Sequence, residues 1–249
     1  MLECNIEKRL ALILPFQQYT ILIFIFATNS IAMGVADNIN QLKSTLPSHV
    51  TLVAVSKTKP ESMIQEAYDG GQRIFGENKV QELCRKQENL PKDIEWHMIG
   101  HLQSNKVKYI APFVSLIHGV DSIKLLQEIN KQGKKNNRVI PVLLQCHIAQ
   151  EETKFGFDVE EIKNALKEND VTSYDHIEFK GVMGMATFTD NSEQVRQEFA
   201  LLQSIFTQLK PLFNASFDTI SMGMSGDYTI AIEEGSTMIR VGSALFGSR

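Results

Sequence analysis

A lysine does covalent chemistry with aldehydes when it is held where burial lowers its pKa, because the neutral amine is the nucleophile that forms a Schiff base. Lys57 has such a placement in the stretch Val53-Ala54-Val55-Ser56-Lys57-Thr58-Lys59-Pro60. Residues 50–55 are apolar and mostly β-branched, as in a buried strand, and Pro60 opens a helical pattern. A lysine between strand and helix lies at the sheet edge where α/β proteins bind ligands. The competing reading is a surface lysine that begins a loop.

Near the other end of the chain, SMGMSGD at 221–227 and Gly242-Ser243 supply hydroxyls, glycines and exposed backbone N–H groups. Such donors suit a phosphate dianion, although each stretch alone is also an ordinary turn. Arg240 interrupts an apolar strand and needs a partner there. A barrel carboxylate would serve, and so would a ring nitrogen of a bound cofactor. His97, His101 and His147 lack the close spacing of a metal set and read as hydrogen-bonded core or rim histidines. Met183, Met185, Met222 and Met224 read as barrel packing.

The elements that must carry these residues alternate. Strand patterns fall at 50–55, 73–75, 94–99, 114–120, 139–148, 177–185, 217–222 and 238–241. Helical patterns fall between them at 61–69, 80–89, 103–111, from 121 or 122 to 131, after Asp158, from 191 or 192 to 209, and at 227–234; a further one at 36–46 precedes the first strand. Eight strands alternating with helices predict an α/β fold with a parallel sheet closed into one (β/α)8 TIM barrel. Lys57 then follows the first strand, Glu77 and Asn78 the second, and His101 the third. Ser221, Ser225 and Asp227 follow the seventh, while Arg240, Gly242 and Ser243 close the eighth. All share the barrel face that carries chemistry.

A net charge of -4 argues against a nucleic-acid surface. Cys4, Cys84 and Cys146 form no CxxC pair, so neither a metal site nor a disulfide framework follows, and a reducing compartment fits. Residues 1–33 differ from the rest: Lys8 and Arg9 precede an apolar run that culminates in YTILIFIFAT at 19–28. A signal peptide, a membrane anchor shorter than the roughly 20 residues a span needs, and upstream sequence read from an early start compete. The last, a mis-assigned start or weakly ordered extension, is favoured because Met33 begins a soluble-looking segment. The barrel domain is therefore expected over 34–249, with no membrane role.

Taken together, AVSKTKP at 54–60, FGENKVQEL at 75–83, IEWHMIGHLQSNK at 94–106, EETKFG at 151–156, SMGMSGD at 221–227 and GSTMIRVGSALFG at 235–247 resemble the YggS/PROSC family of pyridoxal 5′-phosphate (PLP) homeostasis proteins. The resemblance implies a fold-type III barrel similar to the N-terminal domain of alanine racemase, with Lys57 holding PLP as a Schiff base. It implies that Ser225, Gly242 and Ser243, with Ser221 or the backbone beside it, bind the phosphate. Arg240 would face the pyridine nitrogen, and Asn78 and His101 would line the pocket. Lys59 and Lys154 match further family lysines without an assigned role. Lys79 stands where many relatives have tyrosine, and His147 where many have asparagine.

An arginine at the pyridine nitrogen disfavours its protonation and makes the ring a poorer electron sink. Racemases of this fold add a second domain bearing a catalytic tyrosine, which is not expected after Arg249. The expected protein is thus a cytoplasmic PLP carrier or buffer without efficient turnover, a monomer or weak dimer whose partners are PLP and PLP-dependent apoenzymes. The alternatives are an amino-acid racemase-type PLP enzyme and a phosphosugar barrel with Lys57 as an aldolase-type amine.

Overall fold

Eight parallel strands pair in chain order and close on themselves in the computed structural model, which describes residues 34–150, 156–168 (backbone alone at 166–168) and 174–247. The strands are β1 Thr51–Val55, β2 Ile74–Glu77, β3 Glu95–Met98, β4 Leu116–Val120, β5 Ile140–Gln145, β6 Ile177–Met183, β7 Thr219–Ser221 and β8 Met238–Val241. Helix α1 (Val35–Thr45) precedes them. The crossovers carry α2 Glu61–Asp69, α3 Val80–Asn89, α4 Val107–Ile110, α5 Ile123–Lys135, α6 Val159–Glu168, α7 Ser192–Leu209 and α8 Tyr228–Glu233, and α9 Ser243–Phe246 follows the last strand. The alternation read from the sequence is this barrel, and the residues from Val35 onward make one compact unit. The expectation for residues 1–33 lies outside the described residues. Among those described, no helix is long and apolar enough to cross a membrane.

Local chemistry sets the helix starts. Ser122 Oγ accepts from the Leu125 amide at 3.4 Å, and Asn191 Oδ1 from Gln194 at 3.2 Å. Asp158 and Glu161 cap reciprocally: Oδ1 accepts from the Glu161 amide at 2.7 Å, while Glu161 Oε2 accepts from the Asp158 amide at 2.9 Å. Helix α2 ends at Gly70-Gly71, where Gly71 takes φ +91° at no steric cost.

Two apolar clusters hold the barrel. The larger joins strands to the helical ring and contains Phe75, Trp96, Ile64, Leu83, Phe199 and Phe217. The smaller takes Val53, Leu116, Leu143, Met183 and Met238 from five different strands and fills the lumen. Met183 and Met222 are packed as expected, whereas Met185 and Met224 are exposed at the barrel mouth.

Several boundaries differ from the sequence pattern: β4, β5 and β6 are shorter than expected, at Leu116–Val120, Ile140–Gln145 and Ile177–Met183. Strand β7 is confined to Thr219–Ser221, because Phe217 turns to stack on Phe213 with centroids 4.4 Å apart. The expected helix over 103–111 divides into a 3-10 turn at Ser104–Lys106 and the short α4; Ser104 and Asn105 are poor residues for a helix interior, because their side chains compete for backbone hydrogen bonds. Strand β2 extends to Glu77, which brings that carboxylate into the ladder.

Candidate functional site

A cavity of about 450 Å³ opens at the C-terminal ends of the strands. Its wall takes Lys57 from the turn after β1, Asn78 from beyond β2, Ser225 and Asp227 from the loop after β7, Arg240 from β8, and Gly242 and Ser243 from the start of α9. Six of the eight residues singled out from the sequence therefore meet around one space.

Lys57 lies at the centre of a tight turn. The Lys59 amide donates to the Ser56 carbonyl at 3.0 Å, which closes the turn over Lys57 and Thr58. Thr58 takes φ 65°, a left-handed conformation that a β-branched residue rarely adopts and that costs on the order of 1–3 kcal/mol. Beneath this turn lies a buried ionic cluster. Lys86 on α3 is fully buried, and its Nζ donates at 2.8 Å to Glu77 Oε1, Glu82 Oε1 and the Ser56 carbonyl. Ser56 Oγ donates to Glu77 Oε1 at 2.6 Å, and the Thr58 amide donates to Glu82 Oε1 at 2.8 Å. Burial pushes the Glu77 carboxyl up, partly offset by Lys86.

On the opposite side Arg240 is 4% exposed. Its Nη1 donates to Ser221 Oγ at 2.7 Å and its Nη2 to the Gly184 carbonyl at 3.1 Å. Neither partner is a carboxylate, so of the two alternatives for Arg240 the barrel salt bridge is not formed, and Asp227 acts on the guanidinium only through its charge. Burial pushes Arg240 down to about 10, which leaves it cationic at neutral pH. The hydrogen bonding continues inward: Ser221 Oγ lies 3.0 Å from His118 Nδ1, and His118 Nε2 lies 3.0 Å from His97 Nδ1. Both rings are buried. Burial lowers His97 to about 3, and burial, then His97 and Arg240, holds His118 well below the ordinary range. The relay is thus two neutral imidazoles under one buried cation.

The remaining wall joins Ser225 to the start of α9. Ser225 Oγ accepts from the Gly242 amide at 3.2 Å and from the Ala244 amide at 3.5 Å. At Gly242 an added Cβ would come within 3.2 Å of the Val55 carbonyl, so the close approach of the two chain segments leaves little room for a side chain. Asp227 Oδ1 accepts the Met224 amide and fixes the loop that presents Ser225. Asn78 Oδ1 is buried without a partner among the described residues, an unspent acceptor on a residue of the cavity wall.

Two expected residues stand elsewhere. His101 is not on this cavity wall. Gly100 packs so tightly on the Asn78 backbone that an added Cβ would be 2.7 Å from its carbonyl oxygen. Beyond that contact His101 pairs with Asp121 Oδ2 at 3.1 Å, in a separate cleft of about 390 Å³ lined also by Ser104, Asn105, Ser122 and Lys124. Ser221 lies below the cavity, fully buried, and is engaged by Arg240 and His118 instead of presenting its hydroxyl to the space above. Lys79 is exposed in a neighbouring cleft with Thr58, Lys59 and Glu82. Lys59 Nζ donates to the Phe246 and Gly247 carbonyls at 3.1 and 2.8 Å. His147 Nε2 is buried without a partner among the described residues, and Lys154 lies outside them. No group of three metal-ligating side chains forms among the described residues.

The sequence pattern did not single out Lys86 or His118. Both carry a usable signal. Lys86 falls on the same helix stripe as Val80 and Leu83, and His118 interrupts a strand that is buried throughout. A polar group on an apolar face must have a partner.

The family model for the alanine racemase N-terminal domain matches residues 34–249. The pyridoxal phosphate homeostasis protein of Aquifex aeolicus is 41% identical over 199 residues, covering 80% of this chain and 86% of its own. The human protein of the same name is 40% identical over 210 residues, covering 80% and 76%. Among solved structures, PipY of Synechococcus elongatus with PLP bound superposes with a TM-score of 0.77 at 34% identity, covering 86% of this chain and all of PipY. Alanine racemase of Bartonella henselae shares the fold at 16% identity and a TM-score of 0.66, covering 86% of this chain and 58% of that enzyme.

Proposed function

The chain belongs to the pyridoxal phosphate homeostasis protein family, within the wider alanine racemase N-terminal domain family, and from that premise we propose that it holds PLP on Lys57 and serves PLP homeostasis without efficient turnover. The observation that carries this is the sharing of one cavity wall by Lys57, the Ser225–Gly242–Ser243 cradle and the buried cation Arg240. The fit to PLP is chemical. An amine suits the aldehyde, hydroxyl and amide donors suit the phosphate, and a guanidinium suits the pyridine nitrogen. The orphaned Asn78 Oδ1 leaves a further acceptor for a ring substituent.

When bound, PLP supplies an electron sink whose strength depends on protonation of its ring nitrogen. The residues here weaken that sink. Arg240 stays cationic and donates, and the imidazoles behind it are neutral and cannot pass it a proton near pH 7. Among the described residues of the cavity wall there is no tyrosine or histidine to act as a second acid or base. Lys59 is committed to backbone carbonyls and Asp227 to an amide. These features favour holding and releasing PLP over racemisation. The thiols of Cys84 and Cys146 are free, which supports a reducing, cytoplasmic setting, where PLP-dependent apoenzymes would be recipients.

Intact-mass analysis after PLP addition and borohydride reduction tests the anchor. One covalent pyridoxyl adduct is expected in the wild type and none in Lys57→Ala. The same preparation assayed with a panel of L-amino acids tests the absence of turnover; racemisation at ordinary enzyme rates would overturn it in favour of a racemase-type enzyme.

A further inference from the structure

We propose that Lys86 and Glu82, joined by Glu77, are positioning residues for Lys57: a buried ammonium clamp that holds the strained Thr58 turn in the form that carries the Lys57 amine on the cavity wall. The inference rests on the reading of Lys57 as the PLP anchor and adds what fixes its direction.

The two peptide groups that flank the Lys57 Cα are both tied to this clamp. The carbonyl before it, of Ser56, accepts from Lys86 Nζ at 2.8 Å. The N–H after it, of Thr58, donates at 2.8 Å to Glu82 Oε1, the oxygen that also accepts from Lys86. Pinning both peptide planes fixes φ and ψ of Lys57, and with them the exit vector of its side chain. The pinning is needed because the turn is unfavourable by itself. Its third position takes φ 65° at Thr58, where such turns ordinarily place glycine. Backbone strain of that kind persists only where surrounding contacts over-determine it.

The clamp is also an unusual way to stabilise a fold. Lys86 and Glu77 have fully buried side chains, and a buried ion pair contributes little net stability compared with well-packed apolar residues. A specified geometry is what it does provide. All three acceptors around Lys86 Nζ lie at one distance, and one of them is backbone of the residue next to Lys57. Glu77 is held in turn by Ser56 Oγ at 2.6 Å, so side chain and carbonyl of the same residue are both engaged.

The test uses the full chain as wild type, Glu82→Gln, Lys86→Met, and both variants combined with Thr58→Gly. PLP uptake is followed by the visible absorbance of the lysine adduct and by borohydride-trapped mass. Glu82→Gln and Lys86→Met are expected to weaken or slow uptake roughly tenfold, the size of the strain released. Thr58→Gly should recover most of that loss, because glycine holds a positive φ without a clamp. A role in stability alone would lower the melting temperature without this rescue. Glu82, whose side chain is 17% exposed, carries the comparison if Lys86→Met does not fold. Amide exchange at Thr58 and Lys59 in protein without PLP gives an independent arm, with faster exchange expected in both variants. Wild-type uptake in both variants, or a loss that Thr58→Gly does not restore, would overturn the clamp. A wild type that forms no adduct would instead sink the anchor reading, and the exchange arm would then decide the clamp alone.

Discussion

Acid should unfold this barrel through the two imidazoles under Arg240, and the size of the effect follows from their burial. His97 and His118 are neutral in the fold, with His97 lowered to about 3 from an ordinary value of 6.5. In the unfolded chain both take up protons as the pH falls through 6.5. Their contribution is therefore fully present above that value and is lost from pH 6.5 down towards 3. Between pH 6.5 and 5.0 the neutral, buried His97 costs about 1.6 kcal/mol of stability, and His118, lowered as well, adds a loss of the same sign. Glu77 and Asp227, both raised by burial, retain protons in the fold and act in the opposite sense as pH falls, so the difference between proteins is the clean quantity. Urea unfolding can be followed through the single tryptophan, Trp96, which is 1% exposed and neighbours His97 in sequence. Over this interval wild type is expected to lose about 1.6 kcal/mol more than His97→Gln, and more again than His97→Gln/His118→Gln. Parallel curves for wild type and the double variant would refute the assignment of neutral, proton-excluding histidines to the barrel interior.

Three further outcomes follow from single contacts. Gly181→Ala should cost at least about 3 kcal/mol by urea or thermal melts, since Gly181 has φ +150° and a Cβ there would be 1.8 Å from the Thr219 carbonyl oxygen. Cys146, buried and with its thiol pushed up to about 12, should resist alkylation at pH 8 in native protein while half-buried Cys84 reacts; peptide mapping reads both. Ser225→Ala, which removes the hydroxyl between the Gly242 and Ala244 amides, should weaken PLP binding about tenfold in an absorbance titration.

The barrel was legible because its signals are local. Each strand-to-helix switch changes the hydrophobic period within a few residues, and Asn191, Ser122 and Asp158 mark helix starts by their own side chains. The strand-end positions of Lys57, Ser225, Arg240, Gly242 and Ser243 follow from that topology alone. What the sequence hid depends on partners far apart. Lys86 meets Ser56 across 30 residues, and His118 meets Ser221 across 103. The strain at Thr58 has no sequence mark, because threonine there contradicts the glycine preference of the turn. His101 shows a related limit: a strand-end position sets the barrel face but not the sector of it, and this ring stands beside Asp121 in the neighbouring cleft.

The acid prediction and the proposed function share one contributor beside burial. Arg240 is a buried cation whose bonded neighbours are neutral, so its field falls on whatever basic nitrogen lies nearby. On the barrel side that nitrogen belongs to His118, through Ser221, and Arg240 is one of the charges that hold His118 unprotonated. On the cavity side, under the proposed function, it is the pyridine nitrogen, and the same field disfavours its protonation and so disfavours turnover. A substitution that neutralises position 240, such as Arg240→Leu, should relax both at once. The His118 share of the acid sensitivity should shrink, and any residual amino-acid chemistry of the PLP-loaded protein should change with it. If acid sensitivity alone responds, the guanidinium lies too far from the ring to govern it, and the case for binding without turnover must rest on the missing second acid or base.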